Sequence, residues 1–131
     1  MYRLSYYSQD SYVRIQNPTL DALTEIIRSL KEKDQTSLLL EKSSTEHISV
    51  IRCKRQRYSV RYVHYDEYGK PLEQKEFTDA GCLDKNTQVP YFEADGMKYY
   101  VPLFQTITLD DTIRALCYFL EHGTLPQELS D

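Results

Sequence analysis

Helical periodicity appears in only two places along this chain, and what lies between them must be mostly extended. After Asn17-Pro18-Thr19, apolar residues recur at Leu20, Leu23, Ile26, Ile27 and Leu30. This spacing predicts an amphipathic helix from about Thr19 to about Lys33, opened by an N-cap candidate and an early proline. Near the other end, Leu109, Ile113, Leu116, Cys117 and Leu120 predict a second helix with these five as its buried stripe. Thr108 is placed to cap it, Asp110 and Asp111 favour the positive end of its dipole, and Gly123 ends it.

The other segments read as strands. Residues 2–7 and 12–16 are short runs rich in Tyr, Val and Ile, and Ser37–Lys42, Ile48–Lys54 and Arg57–Tyr65 follow the first helix. In the last of these, Tyr58, Val60, Tyr62 and His64 fall on one face and Ser59, Arg61, Val63 and Tyr65 on the other. Tyr68-Gly69-Lys70-Pro71 marks a turn into a strand over Glu73–Thr78. Asp95-Gly96, between Val89–Glu93 and Met97–Leu103, is a strong short-range hairpin signal. The order strand, helix, strands, helix predicts an α+β fold: an antiparallel or mixed β-sheet with two helices packed on it, as a single domain over residues 1–131. At 40% hydrophobic and 27% charged residues the whole length is expected to fold.

Several kinds of chemistry lack a local signature. The glycines Gly69, Gly81, Gly96 and Gly123 are all placed at turns or a helix end, so none is left for a phosphate-cradling loop. His47, His64 and His122 are far apart, and Cys53, Cys82 and Cys117 have neither metal-ligand spacing nor a disulfide pattern. A metal site or a thiol nucleophile would have to be assembled entirely by the fold. No enzymatic role and no cofactor are therefore expected. The N-terminus lacks a basic region followed by an apolar run, and no segment approaches the ~20 apolar residues of a membrane span. A cytoplasmic setting without membrane contact is the expectation.

Charge is the more informative signal. Residues 35–65 carry a net +4 and residues 66–95 a net −5, within a chain whose total is −4. An acidic stretch repels nucleic acid and steers basic proteins toward itself. The cluster Arg52, Lys54, Arg55 and Arg57 with Tyr58 is the best nucleic-acid signal, since cations interleaved with aromatics hold single strands. Against it stands an overall pI of about 5.4. Tyrosine is unusually abundant, 12 against 4 Phe and no Trp, and suits interfaces because it joins a large contact area to a hydrogen-bonding hydroxyl.

The stretch Thr108–Pro126 resembles the closing helix of the Imm-type immunity proteins, found beside bacterial polymorphic and contact-dependent growth-inhibition toxins. The pattern is L-D-E-A, a helix, then F-hydrophobic-x-x-G-x-L-P, matched by Leu109, Asp110, Phe119, Leu120, Gly123, Leu125 and Pro126. Asp111 and Thr112 stand where that pattern has Glu and Ala, and the basic segment Arg52–Arg57 replaces a glycine-rich turn. The resemblance implies a protein that binds the C-terminal toxic domain of a secreted protein, many of them nucleases, and blocks its active site or substrate access. Nuclease surfaces that hold nucleic acid are basic. Asp66, Glu67, Glu73, Glu76, Asp79 and Asp84 would supply the complementary charge, with Tyr65, Tyr68 and Tyr91 as aromatic anchors. The alternative is a small RNA- or single-strand-binding module using the basic 52–57 segment.

Overall fold

A computed structural model of the protein describes residues 1–8, 11–93 and 95–127. The chain runs β1 (Arg3–Ser8), β2 (Ser11–Gln16), α1 (Leu20–Ser29), β3 (Ser37–Ser43), β4 (Glu46–Cys53), β5 (Arg57–Tyr65), β6 (Pro71–Glu76), β7 (Gln88–Phe92), β8 (Lys98–Pro102) and α2 (Leu109–His122). Strands β1 to β6 form one sheet in the order β2-β1-β3-β4-β5-β6, and β7 and β8 form a separate hairpin. Every pairing is antiparallel, so of the two arrangements expected the antiparallel one holds.

Register explains which side of the sheet is buried. Leu4, Leu40, Ile48 and Tyr62 form one cross-strand row and Tyr6, Leu38, Val50 and Val60 the next. Apart from the partly buried Tyr6, all of these lie in the core with Leu23, Ile27 and Leu30 of the α1 region and Ala115, Leu116 and Phe119 of α2. Both helices therefore cover the same face. The opposite face carries the rows Ser5, Leu39, Ser49, Arg61, Glu76 and Arg3, Glu41, His47, Val63, Gln74, which are mostly polar. The β7–β8 hairpin packs on β4 and on the Lys54–Gln56 turn, burying Val89.

Two expectations about the helices need correction. α1 stops at Ser29 instead of reaching Lys33. Beyond Leu30, which is still buried, the sequence Lys31-Glu32-Lys33-Asp34 offers no apolar side chain to the core. The chain instead folds back, with Lys31 N–H donating to Gln35 O at 2.7 Å and Asp34 at a positive φ of 70°. In α2 the fully buried side chains are Thr112, Ala115, Leu116 and Phe119, whereas Leu109, Ile113, Cys117 and Leu120 are only partly buried. α2 lies against the sheet and α1 at once, so its apolar arc is wider than one stripe, and Cys117 Sγ sits 3.5 Å from Thr24 Oγ1 of α1.

The caps behave as their chemistry requires. Thr19 and Thr108 accept from Ala22 N–H and Asp111 N–H at 3.1 and 3.2 Å. Gly123 takes the left-handed conformation at φ 74°, and its carbonyl accepts from Lys42 Nζ at 3.0 Å. A Cβ at that position would lie 3.1 Å from the same Nζ. Gly123→Ala should therefore destabilise the fold by about 1–2 kcal/mol, the cost of forcing an L-residue into that region. Urea unfolding measures it, and an unchanged midpoint would contradict the cap geometry.

Candidate functional site

The acidic, tyrosine-bearing segment begins where β5 leaves the sheet. Tyr65 is half-buried on the polar face, its ring centroid 6.2 Å from that of His47, and its N–H donates to Thr45 O at 2.7 Å. The next five residues form a tight tip organised by Asp66. Its Oδ1 accepts from the N–H groups of Tyr68 and Lys70, both at 2.9 Å, and its own N–H donates to Lys70 O at 2.8 Å. Gly69 supplies a φ of 82° and donates to Asp66 O at 3.1 Å. One aspartate thus fixes the turn by ligating its backbone. The side chain that the turn presents is Tyr68, 87% exposed, with Leu72 at 62% exposure on β6 and Glu67 and Glu73 exposed nearby in the chain.

The other acidic residues do different work. Glu76 pairs with Arg61 across β5 and β6 at 2.5 Å. Asp79 receives Arg57 Nη2 at 2.8 Å, while Arg57 also donates to Thr106 Oγ1 at 2.8 Å and Thr106 O at 2.7 Å. This tether joins the chain leaving β6 to the segment before α2, and a backbone bridge between Tyr58 and Ile107 holds that second segment against β5. The Arg57 hydrogen bond, foremost among several effects, keeps the Asp79 carboxyl below its usual range. Asp84 caps its own loop, accepting from Asn86 N–H at 2.8 Å, Thr87 N–H at 3.0 Å and the Thr87 hydroxyl. That hydroxyl is the first cause of its lowered pKa. Tyr91 belongs to β7, where it stacks on Tyr99 with centroids 5.8 Å apart. The structure therefore gathers Tyr65, Asp66, Glu67, Tyr68 and Glu73 on the β5–β6 hairpin, while Asp79, Asp84 and Tyr91 sit on other segments.

The basic segment is largely absorbed by the fold. Arg52 donates to Leu30 O at 3.1 Å and Cys53 O at 3.2 Å and lies over the Tyr58 ring, 5.7 Å from its centroid. Arg57 is held as described. Lys54 and Arg55 alone of the four cations project from the turn as exposed side chains, with Arg55 at a positive φ of 63°. Tyr58 is fully buried, so no base could stack on it. Of the residues that the single-strand reading invokes, only Lys54 and Arg55 are therefore exposed.

Burial pushes the Cys53 thiol up to about 11, which leaves it protonated and inert at neutral pH. Burial likewise lowers His47, partly opposed by Glu41, so the imidazole is neutral there. Among the described residues, no three His, Cys, Asp or Glu side chains come together as a metal site requires. No described helix is long and apolar enough to cross a membrane.

Two exposed features escape sequence reading. Leu72 is a lone apolar residue in an otherwise polar strand, a signal that was available but weak. Tyr7 and Tyr12, with ring centroids 4.9 Å apart in an edge arrangement, stand on the sheet's polar face beside a shallow hollow of about 230 Å³ floored by Ser5, Leu39, Ser49 and Ile51. Their pairing depends on the β1–β2 register, which no local pattern specifies. No family model matches the chain, and comparison with curated proteins and with solved structures gives no match.

Arg57→Ala should cost about 2 kcal/mol or more, since it takes the guanidinium from Asp79 Oδ2 and from the Thr106 carbonyl. The folded-state pKa of Asp79 is depressed, so its contribution to stability is present above the ordinary carboxylate value and is lost as pH falls below it. Stability curves should show a shallower loss below pH ~4 in the variant than in the parent chain. Parallel acid limbs would mean the pair is not the coupling described.

Proposed function

We propose that this chain is an immunity protein, which binds and neutralises the toxic domain of a bacterial polymorphic or contact-dependent growth-inhibition system by covering its active site or substrate access. The supporting observation is the Asp66-organised hairpin tip, which holds an 87% exposed tyrosine among exposed acids. A large amphipathic ring on a tip already fixed by its own hydrogen bonds loses little entropy on docking. Leu72 extends the apolar contact along β6, and Glu67 and Glu73 supply charge that draws in a basic surface such as a nuclease cleft. The tip stands outside the core, so its side chains are available for recognition without cost to folding.

Co-expression with the C-terminal toxin domain encoded immediately upstream of the gene tests this reading. The expected result is a complex that survives purification and a host that grows. Tyr68→Ala should weaken binding by about 2 kcal/mol, the scale of an interface anchor. Glu67→Lys with Glu73→Lys should slow association about 10-fold at low salt and flatten its salt dependence. No complex and no protection would refute the reading. Protection with unaltered binding by all three substitutions would move the contact surface away from the hairpin.

A further inference from the structure

The two ends of the six-stranded sheet are protected very differently. β6 opens with Pro71, carries Glu73, Lys75 and Glu76, and slips register against β5 between His64 and Tyr65. Proline, dense charge and a bulge are the means by which edge strands avoid pairing with other chains. β2, at the other end, has none of these. Its six residues run in unbroken register with β1, contain no proline, and bear one charged side chain, Arg14.

The hydrogen-bonding groups of that edge can be assigned. Asn17 N–H donates to Tyr2 O at 2.7 Å and Tyr2 N–H to Asn17 Oδ1 at 3.2 Å, so the backbone groups of Tyr2 and Asn17 face each other. Antiparallel alternation then turns the N–H and C=O groups of Ile15 and Val13 toward β1, and those of Tyr12, Arg14 and Gln16 outward. Among the described residues, no strand pairs with this outer edge.

We propose that two copies of this chain associate through their β2 strands, antiparallel about a twofold axis at Val13, with Tyr12 of each copy opposite Arg14 of the other. A strand meeting itself must bring outward groups together, so the axis passes through a residue position; at Tyr12 or Gln16 it would join only that one outward residue of β2 to its copy, which leaves Val13, Arg14 and Ile15. An axis at Arg14 sets two guanidiniums directly opposite, which is repulsive. An axis at Ile15 puts Arg14 opposite Gln16 and leaves Tyr12 facing Pro18, which has no N–H to donate. The axis at Val13 alone repeats between copies an attraction already present within one, where the Arg14 guanidinium lies 4.9 Å from the Tyr12 ring centroid. It leaves the two guanidiniums on a diagonal, each over a tyrosine ring. The pairing continues the sheet from one copy into the next and brings the Tyr7–Tyr12 pairs of both copies to one joint on the polar face. The interface is isologous and closed, so it stops at two copies, because the β6 end is blunted.

Association is read on the isolated protein by sedimentation velocity from micromolar to sub-millimolar concentration, independently of any toxin. A concentration-dependent dimer is expected. Arg14→Pro removes an outward N–H that a free edge strand does not need, so the monomer should keep its circular dichroism and unfolding midpoint while the dimer weakens at least about 10-fold. Val13→Cys should form a covalent dimer under mild copper–phenanthroline oxidation beyond the wild-type level, since the axis brings the two Cα atoms within disulfide range. A chain monomeric at every concentration overturns the proposal, as does a dimer that Arg14→Pro leaves intact. Cross-linking by Arg14→Cys in place of Val13→Cys overturns the register.

Discussion

The ring of Phe119 holds the fold together. It is fully buried in α2, with Tyr2 set edge-on at 5.8 Å and Tyr62 of β5 at 5.9 Å. A buried phenylalanine is worth about 3–5 kcal/mol relative to alanine, and this one joins the last helix, the first residues and the inner strand β5. Polar contacts close around it. Tyr2 donates to the Phe119 carbonyl at 3.0 Å, and Tyr62 donates to Glu46 at 2.5 Å. Glu46 in turn lies 3.5 Å from Lys42, whose ammonium meets the Gly123 carbonyl at the negative end of α2. Burial and the Glu46 hydrogen bond both push the Tyr62 phenol above its ordinary pKa, so it remains a donor throughout the neutral range.

Because both helices are committed to one face of the sheet, the polar face, the sheet edges and the hairpin tips stay clear of them. This division lets the β5–β6 tip and the β2 edge vary without disturbing the core. Tyr68 reaches no core residue and Tyr12 lies at the rim of the sheet, whereas Tyr58 and Tyr62 are buried. Tyrosine abundance thus has two unrelated causes in one chain, strand packing and surface display.

Elements whose signals are local were readable in the sequence. The alternation of Arg57–Tyr65, the Asp95-Gly96 hairpin, and the Thr108 and Gly123 caps all appear where short-range chemistry places them. What the sequence could not display was anything set by two distant segments at once. The α2 burial pattern depends on α1 lying beside it, and the early end of α1 depends on what its last turn would have had to pack against. The fate of the acids was hidden for the same reason. Asp79 and Glu76 look like surface charge until the fold supplies Arg57 and Arg61. Tyr65, Asp66, Glu67 and Tyr68 lie together on the hairpin simply because they are neighbours in the chain.

The split between a basic and an acidic segment has a structural consequence of its own. β5 lies in the basic part and β6 in the acidic part, and they are adjacent in the sheet, so Arg61–Glu76 and Arg57–Asp79 join the two segments directly. Each pair takes one charge from either pole, whereas Asp66 and Asp84 are bonded to neutral backbone and hydroxyl groups and to no cation. A carboxylate that fixes a turn through N–H donors still contributes to the long-range field, and such bonding favours its ionised form. Asp84 accordingly stays charged below the ordinary carboxylate range. Structural use and electrostatic steering are therefore compatible in the same side chains, and the field that would draw in a basic partner is built partly from the residues that hold the loops in shape.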